Sequence, residues 1–159
     1  MGRRVGHGAP VVGDARAFLD SVAHAVARMA VLRAEMAEIE AGGDPRHGPR
    51  VHRPGVSDPT AASALRRMDA LADKAKQVAD CEDLVGECLV LIANVRAHLG
   101  DIYAEVIDRF YMDGETWADI AGDLMVDERT ARRYRDKVCE WGDGVGIEWA
   151  RCHSLAARL

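Results

Sequence analysis

Apolar residues recur near the start of the chain with alternating steps of three and four. The positions are Ala15, Phe18, Val22, Ala25, Met29, Leu32, Met36 and Ile39. Such a spacing is a heptad seam and predicts a helix over residues 14–41, which Gly42 and Gly43 would end. A seam this narrow requires a partner helix, either the next one in the chain or one from another copy.

A second long helix is predicted over residues 58–99. Asp58 is a suitable cap, and Pro59 fits the first helical position, where its missing N–H has no cost. The heptad pattern then slips by one residue along the helix, from Met68, Leu71, Ala75 and Val78 to Cys81, Val85, Cys88, Ile92, Val95 and Leu99. We expect the first half to pack on helix 14–41 and the second half on the C-terminal module. Homo-oligomerisation through residues 15–39 and 68–99 is the alternative use of these seams.

Segments without periodicity separate and flank these helices. Residues 1–13 are rich in Gly and are predicted to be disordered. Residues 42–57 contain three Pro and four Gly, which predicts a flexible linker within a helical hairpin spanning 14–99. The linker is also basic, so we weigh a loop that touches DNA phosphate against a solvated connector and favour the connector. The tail, 142–159, could form a short amphipathic helix that docks on the body or on a partner.

The stretch 100–141 has the pattern of a helix-turn-helix with one helix in front. Ile102, Val106, Ile107, Phe110 and Tyr111 form the apolar face of the leading helix. Thr116 is a suitable cap for a helix ending at Leu124, residues 125–127 form the turn, and Asp127 caps a helix from Glu128 to Glu140. Ala121 is small enough to allow a close helix crossing. Ala131, Tyr134 and Val138 are the expected buried face of the last helix.

Charge separates this last helix from its surroundings. From Arg129 to Lys137 there are five basic residues and one acid, whereas Arg109 is the only base between Asp101 and Glu128. The net charge of the chain is −5, so any contact with DNA must come from this narrow basic edge. The plainer interpretation is a solvated, Arg-rich helix in an ordinary bundle.

The remaining features narrow the class of protein. Aromatic residues make up only 5%, and no alternating β-branched stretch is present, so we predict an all-α fold. No paired carboxylates, activated nucleophile or Gly-rich phosphate loop indicate an enzyme, and no cofactor or metal site is expected. No signal peptide or membrane span is evident, so a cytoplasmic location is expected. Cysteines 81, 88, 139 and 152 should then be reduced.

The segment VIDRFYMDGETWADIAGDLMVDERTARRYRDKV resembles region four of sigma factors, their C-terminal DNA-binding module. The matching residues are Arg109, Phe110, Tyr111, Gly114, Thr116, Trp117, Ile120, Ala121, Leu124, Thr130, Ala131 and Tyr134. The order of long helix, Gly/Pro loop, long helix and sigma-like module resembles the ArpU/RinA-type regulators of phages and prophages. Two positions depart from the pattern: Met125 stands where the turn usually has Gly, and Asp127 where the cap is usually Ser.

The resemblance implies a transcription regulator that places helix 128–140 in the major groove of double-stranded DNA within a bacterial host. Glu128, Arg129, Arg132 and Arg133 would reach base edges. Arg135, Lys137 and Thr116 would contact phosphate. Two alternatives stay open. One is a coiled-coil interaction protein that binds RNA polymerase or another protein through the acidic 101–128 face. The other is a phage terminase small subunit, which the C-terminal position of the module disfavours.

Overall fold

A computed structural model describes residues 14–42 and 59–154 of the chain, and within these ranges the protein is all-helical, as predicted. The helices are α1 (Asp14–Glu40), α2 (Pro59–His98), α3 (Asp101–Ile107), α4 (Trp117–Asp123), α5 (Glu128–Val145) and α6 (Ile147–Cys152). A π-helical segment, Asp108–Met112, follows α3. The expectations for residues 1–13, for most of the 42–57 linker and for the last five residues of the tail lie outside the described residues.

The chain forms two compact units, and both long helices run through both of them. Within the described residues, one unit contains residues 14–24 and 85–154, and the other contains 25–42 and 59–84. This division differs from the predicted boundary at residue 99, because the start of α1 and the end of α2 belong with the C-terminal module. None of the described helices has the length and apolar character needed to cross a membrane.

The unit of residues 25–42 and 59–84, called the hairpin unit below, joins α1 to the first half of α2 by polar contacts. Arg33 pairs with Glu82 at 3.0 Å, and Lys74 pairs with Glu35 at 2.5 Å. On α1, Met29, Leu32 and Ile39 are buried, which confirms this part of the predicted seam. The seam of α1 is therefore covered within a single chain. After Glu40 the helix ends in a turn that contains Gly42.

The first half of α2 differs from the predicted seam. Leu71 and Val78 are half-buried, but Met68 and Ala75 are exposed. The reason is geometric: positions 71, 74 and 78 lie on the side of α2 that meets α1, as the Lys74–Glu35 ion pair shows. Met68 and Ala75 lie on another face of the helix.

The unit of residues 14–24 and 85–154 is built around α5, which packs against α3, α4 and α6. The start of α1 is fixed to the end of α5, since the Ala15 N–H donates to Asp143 Oδ1 at 2.8 Å. A Cβ at Gly142 would lie 3.1 Å from the Ala15 Cβ, so a larger residue at position 142 would have to displace the start of α1 by a few tenths of an ångström.

The described part of the tail docks on the body of this unit. Asn94 on α2 is 2% exposed, and its side-chain NH2 group donates to the carbonyls of Ala150 and His153, each at 2.7 Å. The Ala150 carbonyl is among those that the end of α6 leaves without helical partners, and His153 is the C-cap residue of that helix. Ile147 and Ala150 are buried beside them. Of the two positions considered for the tail, the structure has the docked one.

Candidate nucleic-acid interface

The first helix of the predicted helix-turn-helix begins as the sequence suggests. Thr116 is the N-cap of α4, and its hydroxyl oxygen accepts from the Asp119 N–H at 3.2 Å. The same hydroxyl donates to Asp119 Oδ2 at 2.6 Å. The hydroxyl is thus engaged with Asp119, beside an exposed carboxylate, so the predicted phosphate contact of Thr116 rests on its backbone N–H and stays a prediction.

The turn after α4 is a Schellman motif. The Val126 N–H donates to the Ala121 carbonyl at 3.0 Å, and the Met125 N–H donates to the Gly122 carbonyl at 3.2 Å. Met125 takes the left-handed position with φ of 55°, where glycine is usual. The expected departure at Met125 is therefore accommodated by a left-handed backbone, and its side chain is 94% exposed.

The next helix, α5, begins at the predicted residue and is capped by Asp127. The Asp127 carboxylate accepts from the Thr130 N–H at 2.6 Å. This hydrogen bond, with smaller contributions from Arg133 and Arg129, lowers the pKa of Asp127. The helix continues past the predicted end at Glu140 to Val145.

The buried face of α5 holds the module together. Ala131 and Val138 are buried, as predicted, and the Tyr134 ring meets the Tyr103 ring edge-on at 5.1 Å. Through these residues α5 is anchored to α3 and α4, which leaves its opposite side exposed.

Five of the predicted contact residues lie at the surface of α5: Glu128, Arg129, Arg132, Arg133 and Lys137. Two of them are already paired, since Arg132 Nη2 lies 2.9 Å from Glu128 Oε2. Arg132 also lies 5.9 Å from the centroid of the Trp117 ring. The carboxylate and the ring together hold the Arg132 guanidinium near the start of α5.

Arg135 corrects the expectation of a phosphate contact at that position. It is only 8% exposed, and its guanidinium packs 5.1 Å from the centroid of the Trp117 ring. A hydrogen bond of 3.0 Å joins its Nε to Asp136. The reason is periodicity: position 135 follows the buried Ala131 by four residues and precedes the buried Val138 by three. Arg135 therefore belongs to the packed face of α5.

Trp117 has a role that sequence reasoning missed, beyond its place on the apolar face of α4. Its ring stacks on Phe110 at 4.1 Å and carries the guanidinium groups of Arg132 and Arg135. The available signal was the combination of an aromatic residue on α4 with arginines near the start of α5.

Arg109 connects the π-helical segment to the helix-turn-helix. Its side chain contacts Glu105, Glu115 and Asp123, with an Nε–Oε2 distance of 2.9 Å to Glu115. The hydrogen bonds to Glu115 and Asp123 raise the pKa of the guanidinium above its ordinary value. The signal in the sequence was a single base in an acidic stretch. Its effect is to neutralise part of the acidic face.

Other chemistry is sparse in the described part of the chain. Within residues 14–42 and 59–154, no cluster of His, Cys, Asp and Glu side chains is arranged to hold a metal ion. Burial raises the pKa of the Cys88 thiol to about 12 and that of Cys139 to about 11, so neither is a ready nucleophile.

No known protein family, curated protein or solved structure matches this chain.

Proposed function

We propose that the protein is a sequence-specific, double-stranded-DNA-binding transcription regulator that places α5 in the major groove. The observation that carries this proposal is the arrangement from Thr116 to Lys137. A capped helix, a Schellman turn and a second capped helix present four exposed cations, Arg129, Arg132, Arg133 and Lys137. Helices that enter the major groove contact base edges mainly through their N-terminal residues. The likeness to region four of sigma factors and to ArpU/RinA-type phage regulators supports the same function.

Within this proposal the exposed residues divide into two groups. Arg129, Arg132 and Arg133 offer the donors that pair with guanine, and Glu128 accepts from the amino group of cytosine. Lys137, further along α5, is placed to meet phosphate. Arg135 is left out because its guanidinium is engaged within the protein. The Thr116 hydroxyl is engaged with Asp119, so the backbone N–H is the group of Thr116 that is left to meet phosphate.

The Glu128–Arg132 ion pair bears on specificity. Non-specific DNA attracts Arg132 and repels Glu128, so the exposed pair lowers the gain from phosphate contact alone. A site with guanine and cytosine at suitable positions engages both side chains. The proposed interface should accordingly bind random duplex weakly and a matched site more strongly.

A second candidate is a protein-binding role for the acidic face in front of α5. Asp101, Glu105, Asp113, Asp119 and Asp123 are exposed and would suit a basic partner such as a surface of RNA polymerase. Arg109 already contacts two of these acids and Glu115, which reduces the charge available. We therefore give preference to the DNA-binding function.

Selection of bound duplexes from a random pool, followed by titration of the selected site, tests the proposal. The double variant Arg132→Ala with Arg133→Ala should bind the selected site at least about a hundredfold more weakly. The slope of log affinity against log salt should change by less than about one, because these two arginines are proposed to contact base edges rather than phosphate. The matched control is Arg33→Ala with Arg66→Ala, which removes two exposed cations from the hairpin unit and should bind like the parent.

Two outcomes would overturn the proposal. One is a double variant that binds the selected duplex as tightly as the parent. The other is a pool from which no duplex is enriched, accompanied by retention of RNA polymerase from a bacterial lysate on the parent. The latter result would favour the acidic-face function.

A further inference from the structure

The first half of α2 is unusually exposed for a helix of its length. From Thr60 to Leu84 no residue is buried, whereas α1 buries Met29, Leu32 and Ile39 in the same unit. Most helical stability in proteins comes from packing of an apolar face rather than from intrinsic propensity. A two-helix hairpin supplies α2 with one such contact only.

The exposed side of this half carries a second stripe of apolar residues with heptad spacing, called the stripe below. Its members are Ala61, Leu65, Met68, Ala72, Ala75 and Ala79, at steps of four, three, four, three and four, and all are exposed. Leu65 is 62% exposed and Met68 is 66% exposed. The half-buried Leu71 and Val78 lie on the side toward α1, so the stripe is separate from the contact within the hairpin. Alternating steps of three and four are those of a coiled-coil interface.

We propose that two copies of the chain pair through this stripe, with their α2 helices antiparallel about a two-fold axis. In such a pair Ala72 faces Ala75 of the second copy, and Met68 faces Ala79. Met68 thus meets a small residue, which allows these central layers to interdigitate. The contact is isologous, so that every interaction occurs twice.

Charge complementarity favours a second copy of the chain as the partner, and it favours the register that sets Ala72 opposite Ala75. Asp69 and Lys76 are exposed at equivalent flanking positions, seven residues apart. With Ala72 opposite Ala75, Asp69 of each copy lies beside Lys76 of the other, which gives two reciprocal ion pairs. A shift of seven residues in one direction sets Asp69 against Asp69, and a shift in the other direction sets Lys76 against Lys76. Both shifts are disfavoured by like-charge repulsion.

The same charges favour the antiparallel orientation over the parallel one. In a parallel pair, Asp69 and Lys76 would face the opposite flank of the second helix. That flank carries Leu71 and Val78, which offer no charge to either residue and already face α1. Only the antiparallel arrangement satisfies both side chains.

Sedimentation velocity of the full chain over a range of concentrations tests the pairing. The parent should show a monomer–dimer equilibrium, and Met68→Glu should shift it to monomer. Asp69→Lys alone and Lys76→Asp alone should each weaken dimerisation by about tenfold, because two attractive pairs become repulsive. The double variant Asp69→Lys with Lys76→Asp should restore dimerisation to within about twofold of the parent.

The control variant is Glu38→Lys, which changes the charge of an exposed residue of α1, on a different helix from the stripe. It should dimerise like the parent, and circular dichroism should show equal helix content for all variants. Three results would overturn the proposal: a parent that is monomeric at all concentrations up to about 100 μM, an oligomer of higher order, or a double variant as weak as the singles. Because the readout is mass, none of these depends on whether the protein binds DNA.

Discussion

The guanidinium of Arg135 lies 5.1 Å from the centroid of the Trp117 ring, on the side of α5 that is packed against α4. Phe110 stacks on the same ring at 4.1 Å. Arg135 belongs to the basic run from Arg129 to Lys137, whose other cations are exposed, yet it is part of the packing that fixes α5 relative to α4 and the π-helical segment. This separates two kinds of arginine within one helix.

Replacing Arg135 should affect stability, whereas replacing Arg133 should affect DNA binding. Arg135→Ala removes a desolvated cation–π contact and the packing of the long side chain, so the free energy of unfolding should fall by about 1–3 kcal/mol. Arg133 is exposed, and Arg133→Ala should change the unfolding free energy by less than about 0.5 kcal/mol. Urea unfolding followed by circular dichroism measures both values. Equal effects of the two variants would mean that Arg135 is not part of the core.

Much of the fold follows from periodicity and caps. The predicted seam of α1 is buried except at Met36, which is half-buried, and it misses the buried Leu19. Thr116 and Asp127 mark the starts of α4 and α5 correctly. Arg135 could have been placed by the same rule, since it shares the period of Ala131 and Val138. Its charge led to a prediction of exposure, although a buried cation is stable when an aromatic face and a carboxylate are at hand.

Other features could not be predicted because they depend on partners distant in sequence. The docking of α6 rests on hydrogen bonds from Asn94 to residues 150 and 153, more than fifty positions away. The π-helical segment after α3 is accompanied by the contacts of Arg109 with Glu115 and Asp123. The exposed stripe of α2 could not be distinguished in the sequence from the side that packs on α1, because both faces of that helix carry apolar residues at heptad spacing.

The left-handed Met125 offers a direct test of the turn. Its side chain is 94% exposed and contributes little packing, while a left-handed conformation costs an L-residue about 1–2 kcal/mol. Met125→Gly removes that cost but adds conformational entropy to the unfolded chain, so a net stabilisation of about 0.5–1 kcal/mol is expected. Met125→Ala keeps the Cβ and should leave the unfolding free energy within about 0.5 kcal/mol of the parent. A Gly variant that is less stable than the Ala variant would contradict the assigned turn.

The cap of α5 should give stability a measurable dependence on pH. The hydrogen bond from the Thr130 N–H lowers the pKa of Asp127 in the folded chain, whereas an unfolded aspartate titrates near pH ~3.9. A group whose pKa is lowered on folding stabilises the protein above its unfolded pKa, and this contribution is lost as the pH falls through the folded value. The stabilisation from ionised Asp127 should therefore be complete above about pH 5 and decline below about pH 4.

Neutral caps isolate this effect from the titration of the other carboxylates. Asn and Ser both serve as N-caps, so Asp127→Asn and Asp127→Ser retain a hydrogen bond to the backbone but cannot titrate. The difference in unfolding free energy between the parent and either variant should stay constant from pH 8 to about pH 5 and then shrink as the pH falls. Urea unfolding at pH 7, 5, 4 and 3 provides this difference. A difference that stayed flat or grew on acidification would show that the Asp127 carboxylate does not cap α5 as an ionised acceptor.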